Sequence, residues 1–352
     1  MKPDEKHLLV FRFSAMGDVA LTVPVIRNVL QENKNLKITL VTNPLFTPFF
    51  YGIDRLTIFP ADFKGQYRGF NGLYKLYKDL KSVNKFDYLI DLHNVLRSRI
   101  LSFFFLFSGL KGFRINKNRK AKRKVITGKI KKPLIHTTER YKAVFDNIIN
   151  VSTPLSVPSI FPSEKAIAAA EIFIQKENIQ AKQWIGIAPM AKHELKRWPL
   201  ENIHSLIKLI NKDSDVYFFL FGGGDKEKKE MDRISTQNTN ISNITGKLNL
   251  SEEIALISKM SFMITMDSAN MHISSLLGVP TISIWGGTHP MTGFGALNQP
   301  DEYAIQVSEQ ELTCRPCTIY GKGSCKRGDL ACFTRLSPKI VYHKLIYLNL
   351  FK

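Results

Sequence analysis

A chain of 352 residues is too long for one small core and fits two domains of ordinary size. Its 44% hydrophobic and 23% charged content is that of a globular protein, which excludes a disordered or fibrous chain. The formal net charge of +20 points to a polyanionic partner or an anionic surface, because self-repulsion of that size opposes a compact state.

The first seven residues are charged rather than apolar, and the most apolar run, 100–109, is far short of the roughly 20 residues that span a bilayer. A cytoplasmic protein is expected. Strand-like runs at 8–13, 37–42, 55–59 and 87–91 alternate with helical patterns at 19–31, 73–83 and 95–107, the signature of a parallel sheet with crossover helices. The phenylalanine run within the third of these helices, Phe103 to Phe107, reads as its buried face. Between Lys111 and Lys132 basic residues gather without one acid, and that segment reads as a mobile loop. Residues 150–162, with Pro154, Pro158 and Pro162, lack periodicity and form the natural linker, dividing the chain into domains 1–155 and 156–352.

The second half repeats the scheme, with strands at 184–188, 216–221, 241–245, 262–266 and 281–285 and helices opening near Pro199, Asp225, Ser251 and Ser268. A last amphipathic helix, about 338–351, is expected to pack back on the first domain. Cys314, Cys317, Cys325 and Cys332 are the only cysteines, spaced C-x2-C-x7-C-x6-C, which argues against a distributed disulfide framework. One C-x2-C pair is less specific than a zinc ribbon. A local structural knot or a set of reduced thiols is therefore expected, with a structural zinc left open.

The fold class that follows is α/β, two doubly wound, Rossmann-like parallel-sheet domains facing a central cleft, with ligands held by loops at the carboxyl ends of the strands. No G-x-G-x-x-G follows the first strand and no G-x-x-x-x-G-K-[ST] occurs, so dehydrogenase and P-loop readings lose support. Two strand-to-helix turns carry acids, Asp18 after Ser14-Ala15-Met16-Gly17 and Asp267 before Ser268-Ala269-Asn270-Met271-His272. Either acid alone reads as a helix N-cap. The amides after Asp267, however, also make an anion site in which a diphosphate would sit. Lys196 stands between a strand end and the helix opening at Pro199. A solvated lysine is one reading and a phosphate contact the other.

Five ordered motifs carry a resemblance over nearly the whole chain. They are Arg12-Phe13-Ser14-Ala15-Met16-Gly17-Asp18-Val19-Ala20-Leu21-Thr22-Val23-Pro24, Asp91-Leu92-His93-Asn94-Val95-Leu96-Arg97-Ser98, Lys196-Arg197-Trp198-Pro199, Thr245-Gly246-Lys247-Leu248-Asn249-Leu250, and Asp267 to His272 followed by Gly278-Val279-Pro280 and Gly286-Gly287-Thr288. In these the chain resembles the heptosyltransferases of glycosyltransferase family 9. The resemblance implies a GT-B architecture, no cofactor or metal requirement, and inverting transfer of heptose from ADP-heptose to a lipid A/Kdo-type acceptor of the lipopolysaccharide inner core.

By the same resemblance Asp18 is the general base, suited to that task where desolvation in a closing cleft raises its pKa, and Lys196 stabilises the leaving diphosphate. The donor would lie against Ser14, Met16, Gly17, Gly222, Gly223, Gly246, Lys247, Leu248, Asp267, Ser268, Ala269 and His272. Of these, His272 would contact phosphate or sugar, and Asp267 would bond sugar hydroxyls or order its loop. The acceptor would lie against Asp91, Arg97, Ser98, Arg140 and Tyr141. The basic segment and the apolar Phe103-Phe104-Phe105-Leu106-Phe107 run together suggest an anionic membrane surface as partner, placing the protein peripherally on the inner face of the inner membrane, although the phenylalanines read first as the buried face of their helix.

One rival is a glycosyltransferase of the same family with another nucleotide sugar or acceptor. A second is a nucleic-acid-binding protein, which is disfavoured because the basic loop lacks interleaved stacking aromatics and no binding motif is present, and a third is a catalytically dead scaffold of this fold, which would bind the donor without turnover.

Overall fold

The computed structural model describes residues 5–179, 181–236 and 238–351, and the chain divides into two compact units. One comprises Met1–Asn118 and Thr137–Phe161, and the other comprises Arg119–His136 and Pro162–Lys352. In chain order the elements are β1 (Lys6–Phe11), α1 (Met16–Ala20), α2 (Val23–Glu32), β2 (Leu36–Thr42), β3 (Leu56–Pro60), α3 (Gly69–Val83), β4 (Tyr88–Asp91), α4 (Leu96–Phe107), β5 (Lys111–Arg114), α5 (Arg119–Ile126) and α6 (Thr137–Phe145). They continue with α7 (Glu164–Lys176), β6 (Gln183–Ala188), α8 (Leu200–Asp213), β7 (Val216–Leu220), α9 (Gly224–Ser235), β8 (Ile241–Asn243), α10 (Leu250–Ile257), β9 (Phe262–Met266), α11 (Ala269–Leu276), β10 (Thr281–Ile284), β11 (Ala304–Ile305), α12 (Ala331–Thr334) and α13 (Pro338–Tyr347).

The first unit holds a parallel sheet in the order β3-β2-β1-β4-β5, with Leu8 opposite both Ile38 and Tyr88. Its central strand is an unbroken apolar run, Leu8 to Phe11, buried on both faces as a sheet covered by helices requires. The edge strands β3 and β5 alternate or face solvent instead. The second unit is also parallel, in the order β11-β10-β9-β6-β7-β8. Every residue of β7, β9 and β10 is buried. In each sheet the order reverses beside the first strand of the unit, between β1 and β4 and between β6 and β9, and such reversals are where ligands bind.

Three expectations are corrected. The segment read as a mobile loop contains β5, parallel to β4, and α5, whose Lys122 and Val125 are buried while Arg119, Lys120, Arg123 and Lys124 face solvent. Lys122 lies 4.2 Å from the Phe294 ring centroid and Leu134 donates its amide to Met291, so the part from Arg119 onward is anchored in the second unit while β5 belongs to the first. The last helix, α13, buries Val341 and Leu345 in the second unit's own core beside α8, which uses the apolar face expected to reach the first domain. In α4, Phe105 is buried but Phe103 and Phe107 are exposed.

Gly72 sits in the first turns of α3, where a β-carbon would lie 2.3 Å from the backbone carbonyl carbon of Tyr67. Helix propensity alone would make Gly72→Ala stabilising by up to about 1 kcal/mol. The backbone clash should win, and urea unfolding of Gly72→Ala should show a loss of about 1–3 kcal/mol.

Candidate active site

The first half-site is built where β1 ends. Arg12 follows the last residue of β1 and is almost wholly buried, yet it carries a charge that must be answered locally. Its Nη2 lies 2.9 Å from Oδ1 of Asp18 in the first turn of α1, and its Nη1 donates to the Leu92 carbonyl at 2.8 Å. Burial is the largest influence on the guanidinium and opposes its charge, but Asp18, Tyr141 and Asp91 outweigh it and hold the pKa above the ordinary value. Asp18 itself is about one-third exposed. Tyr141, fully buried on α6, lies under Arg12 with 5.6 Å between ring centroid and guanidinium, and donates its hydroxyl to the Asp18 carbonyl at 3.3 Å. The N-cap reading of Asp18 is thus replaced, since Ala15 is the cap residue and the carboxylate is fixed by an ion pair.

Across the strand reversal, the loop after β4 is organised by Asp91. One carboxylate oxygen accepts from the amides of His93 and Asn94 at 2.9 and 2.7 Å, and the other from the Ser98 hydroxyl at 2.9 Å, with Arg114 at 3.4 Å. Asp91, Ser98 and Tyr141 are fully buried, Asp91 and Ser98 bonded to each other and Tyr141 to the Asp18 carbonyl, so they support the loops from inside rather than face an incoming acceptor. Of the five residues expected on the acceptor side, Arg97 is exposed, over the Phe63 ring, and Arg140 is partly buried and donates to the Lys117 carbonyl and the Thr137 hydroxyl. His93 was given no role in the sequence reading. Burial first, then the positive charges of Arg12, Lys117 and Arg97, push its pKa down to about 3, and its Nδ1 is buried with no hydrogen-bond partner among the described residues.

The second half-site spans the reversal between β6 and β9. Lys196, in a single 3-10 turn after β6, places Nζ 2.7 Å from Oδ2 of Asp267, the residue that follows β9. Both are largely buried. Here too the cap reading is corrected: Ser268 is the cap residue of α11, its hydroxyl is buried without a partner among the described residues, and Asp267 serves Lys196. His272 is buried on the same helix. The Lys196 turn is tied on both sides: Leu195 accepts the Gly287 amide at 2.8 Å, and buried Trp198 donates its indole N–H to the Leu336 carbonyl at 2.9 Å.

The segment carrying the cysteines presses on this turn from outside. Gly321 stands at φ +78°, where a β-carbon would come within 2.7 Å of the Lys196 stem, and the Cys317 amide donates to the Gly287 carbonyl. Buried Arg315 donates to the carbonyls of Gly286, Trp285, Thr288 and Val307 and to the Gln306 side chain, gathering the loop after β10. All four cysteines are free thiols, from exposed Cys314 to buried Cys332. Among the described residues no group of three or more His, Cys, Asp or Glu side chains could hold a metal ion, which corrects the zinc reading, and of the two other readings of the cysteines the free thiols match the reduced set.

The remaining donor-side candidates follow the strands as expected. Gly222 and Gly223 follow β7, and a β-carbon on Gly222 would meet the Thr245 hydroxyl at 3.0 Å, so the glycine turn abuts the Thr245-Gly246-Lys247-Leu248 segment after β8. Gly246 takes φ +76° in that turn. Lys247, however, points to Glu177, with Nζ 3.4 Å from Oε1. Ser14, Met16 and Gly17 belong to the first unit, in the turn before Asp18 and the start of α1. Sequence reasoning gave no role to Arg12, Arg315 or Gly321. Only Arg12 lay inside a motif that could have signalled it.

Residues 73–322 match the model of glycosyltransferase family 9 (heptosyltransferase). The chain is similar to the lipopolysaccharide core heptosyltransferase OpsX of Haemophilus influenzae, at 24% identity over 81% of this chain and 80% of that one. Among solved structures it is similar to the family 9 glycosyl transferase of Veillonella parvula, with a TM-score of 0.76 at 20% identity over 99% and 98% of the two chains. It is also similar to the E. coli ADP-heptose lps heptosyltransferase II, with a TM-score of 0.69 at 17% identity over 97% and 98%.

His93 and His289 titrate together in one window, because burial also pushes His289 down to about 4, helped by Arg315. Both bases bind protons in the unfolded chain below about pH 6.5 but not in the folded one, so stability should fall as pH drops from about 6.5 towards 4. Urea unfolding at pH 7 and pH 5 should show this loss, and His93→Gln should flatten the slope. An unchanged slope would mean His93 is not buried as a neutral ring.

Proposed function

The chain belongs to glycosyltransferase family 9, the heptosyltransferases, and from that premise we propose that it moves heptose from ADP-heptose to a Kdo/lipid A-type inner-core acceptor, inverting the anomeric carbon. The observation that carries the reading is the Lys196–Asp267 pair at the strand reversal of the second unit. A lysine ammonium has three donors, and Asp267 engages one of them. The other two suit the oxygens of a diphosphate, beside the amides that open α11 without a side-chain cap and the Ser268 hydroxyl, which has no partner among the described residues. Asp267 thus acts as the residue that aims Lys196.

In the reaction the acceptor hydroxyl gives its proton to Asp18 as its oxygen bonds to the anomeric carbon, while the bond from that carbon to the diphosphate oxygen breaks. Charge then develops on the departing ADP, where Lys196 answers it without an added metal. Arg12 fixes the Asp18 carboxylate by one oxygen and leaves the other, Oδ2, to accept the proton. The sugar and adenine contacts are assigned to the Gly222-Gly223 and Gly246 turns and His272, and the anionic acceptor to Arg97 and Arg140. Such an acceptor is carried by a membrane, so we place the enzyme peripherally on the cytoplasmic face of the inner membrane. Among the described residues no helix is long and apolar enough to cross it.

Calorimetric titration with ADP, GDP and UDP, each with and without EDTA, tests donor and metal together. ADP should bind best and EDTA should change nothing; preference for another base would reassign the donor, and loss of binding in EDTA would bring a metal into the site.

Two substitutions separate the roles. Asp18→Asn should lower kcat by about 10²–10⁴-fold and leave the ADP affinity intact. Lys196→Met should weaken ADP binding and turnover together. Unchanged ADP affinity in Lys196→Met would remove the diphosphate contact, and near-normal turnover in Asp18→Asn would remove the base.

A further inference from the structure

The first unit exposes an aromatic face that its own core does not use. On α4 the inward positions are Leu101 and Phe105, both buried, whereas Phe103, Leu106 and Phe107 are 55%, 47% and 77% exposed. On α3, Leu73, Leu76 and Leu80 are buried while Phe70 and Tyr74 face outward. These exposed rings are joined through two partly buried ones that rest on the core, Phe104 and Tyr77: Phe103 and Phe107 meet at 4.4 Å, and Phe104 lies 5.6–5.7 Å from the rings of Phe70, Tyr74 and Tyr77. Tyr74, Tyr77, Phe103, Phe104 and Phe107 line an open groove of about 290 Å³. A contiguous apolar surface of this kind on a globular unit marks a contact site.

The charge around it chooses the occupant. Lys78 and Lys81 stand over the Tyr74 and Tyr77 rings at 4.7 and 5.5 Å. Lys75, Arg97 and Arg99 are exposed on the same helices, and no acid occurs from residue 92 to residue 118. The one acid of α3, Asp79, is half-buried and accepts from the Tyr67 hydroxyl. Pairing of this face with itself in a second copy would set cation against cation. An anionic bilayer instead matches both layers, with phenylalanine and leucine at the acyl boundary and tyrosine and lysine at the level of the head groups.

We propose that the α3–α4 face of the first unit docks on an anionic phospholipid bilayer, with Phe103 and Phe107 entering the lipid. This rests on the reading of a membrane-borne acceptor, but its test needs neither donor nor acceptor. The full chain is sedimented with vesicles of phosphatidylcholine alone or mixed with phosphatidylglycerol, beside the variants Phe103→Ser/Phe107→Ser and Lys78→Glu/Lys81→Glu. The protein should bind the mixed vesicles preferentially, and each double variant should bind at least about tenfold more weakly. ADP affinity should be the same in all three proteins, which shows that the variants are folded.

Three results would overturn the proposal. One is Phe103→Ser/Phe107→Ser binding the vesicles as wild type does. Another is a wild-type dimer in the absence of lipid that the same variant converts to monomer. The last is single-stranded oligonucleotide displacing wild type from vesicles. Absence of heptosyl transfer with vesicle binding intact would instead count against the proposed reaction and leave this surface standing.

Discussion

Each unit must place a carboxylate at the carboxyl end of a buried parallel sheet and answer its charge there with a cation. Arg12, Lys196 and Asp267 are largely buried, and a buried charge is tolerated only when paired, whereas Asp18 stays about one-third exposed. The two units meet this constraint differently. In the first, the cation and the acid lie six residues apart in one chain segment, so the turn from β1 into α1 closes the Arg12–Asp18 pair by itself. In the second, the cation follows β6 and the acid follows β9, so the Lys196–Asp267 pair exists only once those strands lie side by side. The first half-site is local in sequence and the second depends on tertiary structure.

Supports converge on both pairs. Tyr141 and the Leu92 carbonyl hold Arg12, and Asp91 gathers the amides and the hydroxyl of the neighbouring loop. Around Lys196, Trp198 anchors one side of its turn, Gly287 the other, and Gly321 lies against the stem. Arg315 then ties the Gly286-Gly287-Thr288 loop through its carbonyls, a task for which a planar fork with five donors is suited.

Much of this was legible in the sequence, and the failures have physical causes. Central strands such as β1, β7 and β9 announce themselves as apolar runs, since both of their faces are covered. Asp18, Lys196 and Asp267 stand out because each interrupts a strand-to-helix turn with charge. The edge strand β5 was hidden in a basic segment, because an exposed edge has no need of apolar alternation and its evidence is the register against β4. Asp91 and Ser98, inside a motif, and Tyr141, outside the motifs, look like ligand contacts because a polar residue in a sequence does not reveal whether its partners are inside the protein. The phenylalanines of α4 misled in the opposite sense: hydrophobicity alone does not tell which side of a helix finds a core, and here burial stops at Leu101 and Phe105.

The choice of cation in each pair also carries meaning. Arg12 is buried, always charged, and directs its two terminal nitrogens to different acceptors, Asp18 and Leu92, so it can fix the direction of the carboxylate as well as its charge. A lysine there would give a point charge and lose that orientation. Lys196 is the reverse case, since it must face a protein carboxylate and still have donors left for a second anion, and a compact ammonium on a flexible stem can turn between them. An arginine there would commit its fork to Asp267 and meet Gly321 with greater bulk. Rigid charge thus stands beside the proposed base, where direction decides proton transfer, and adaptable charge beside the proposed leaving group, where the anion grows and departs.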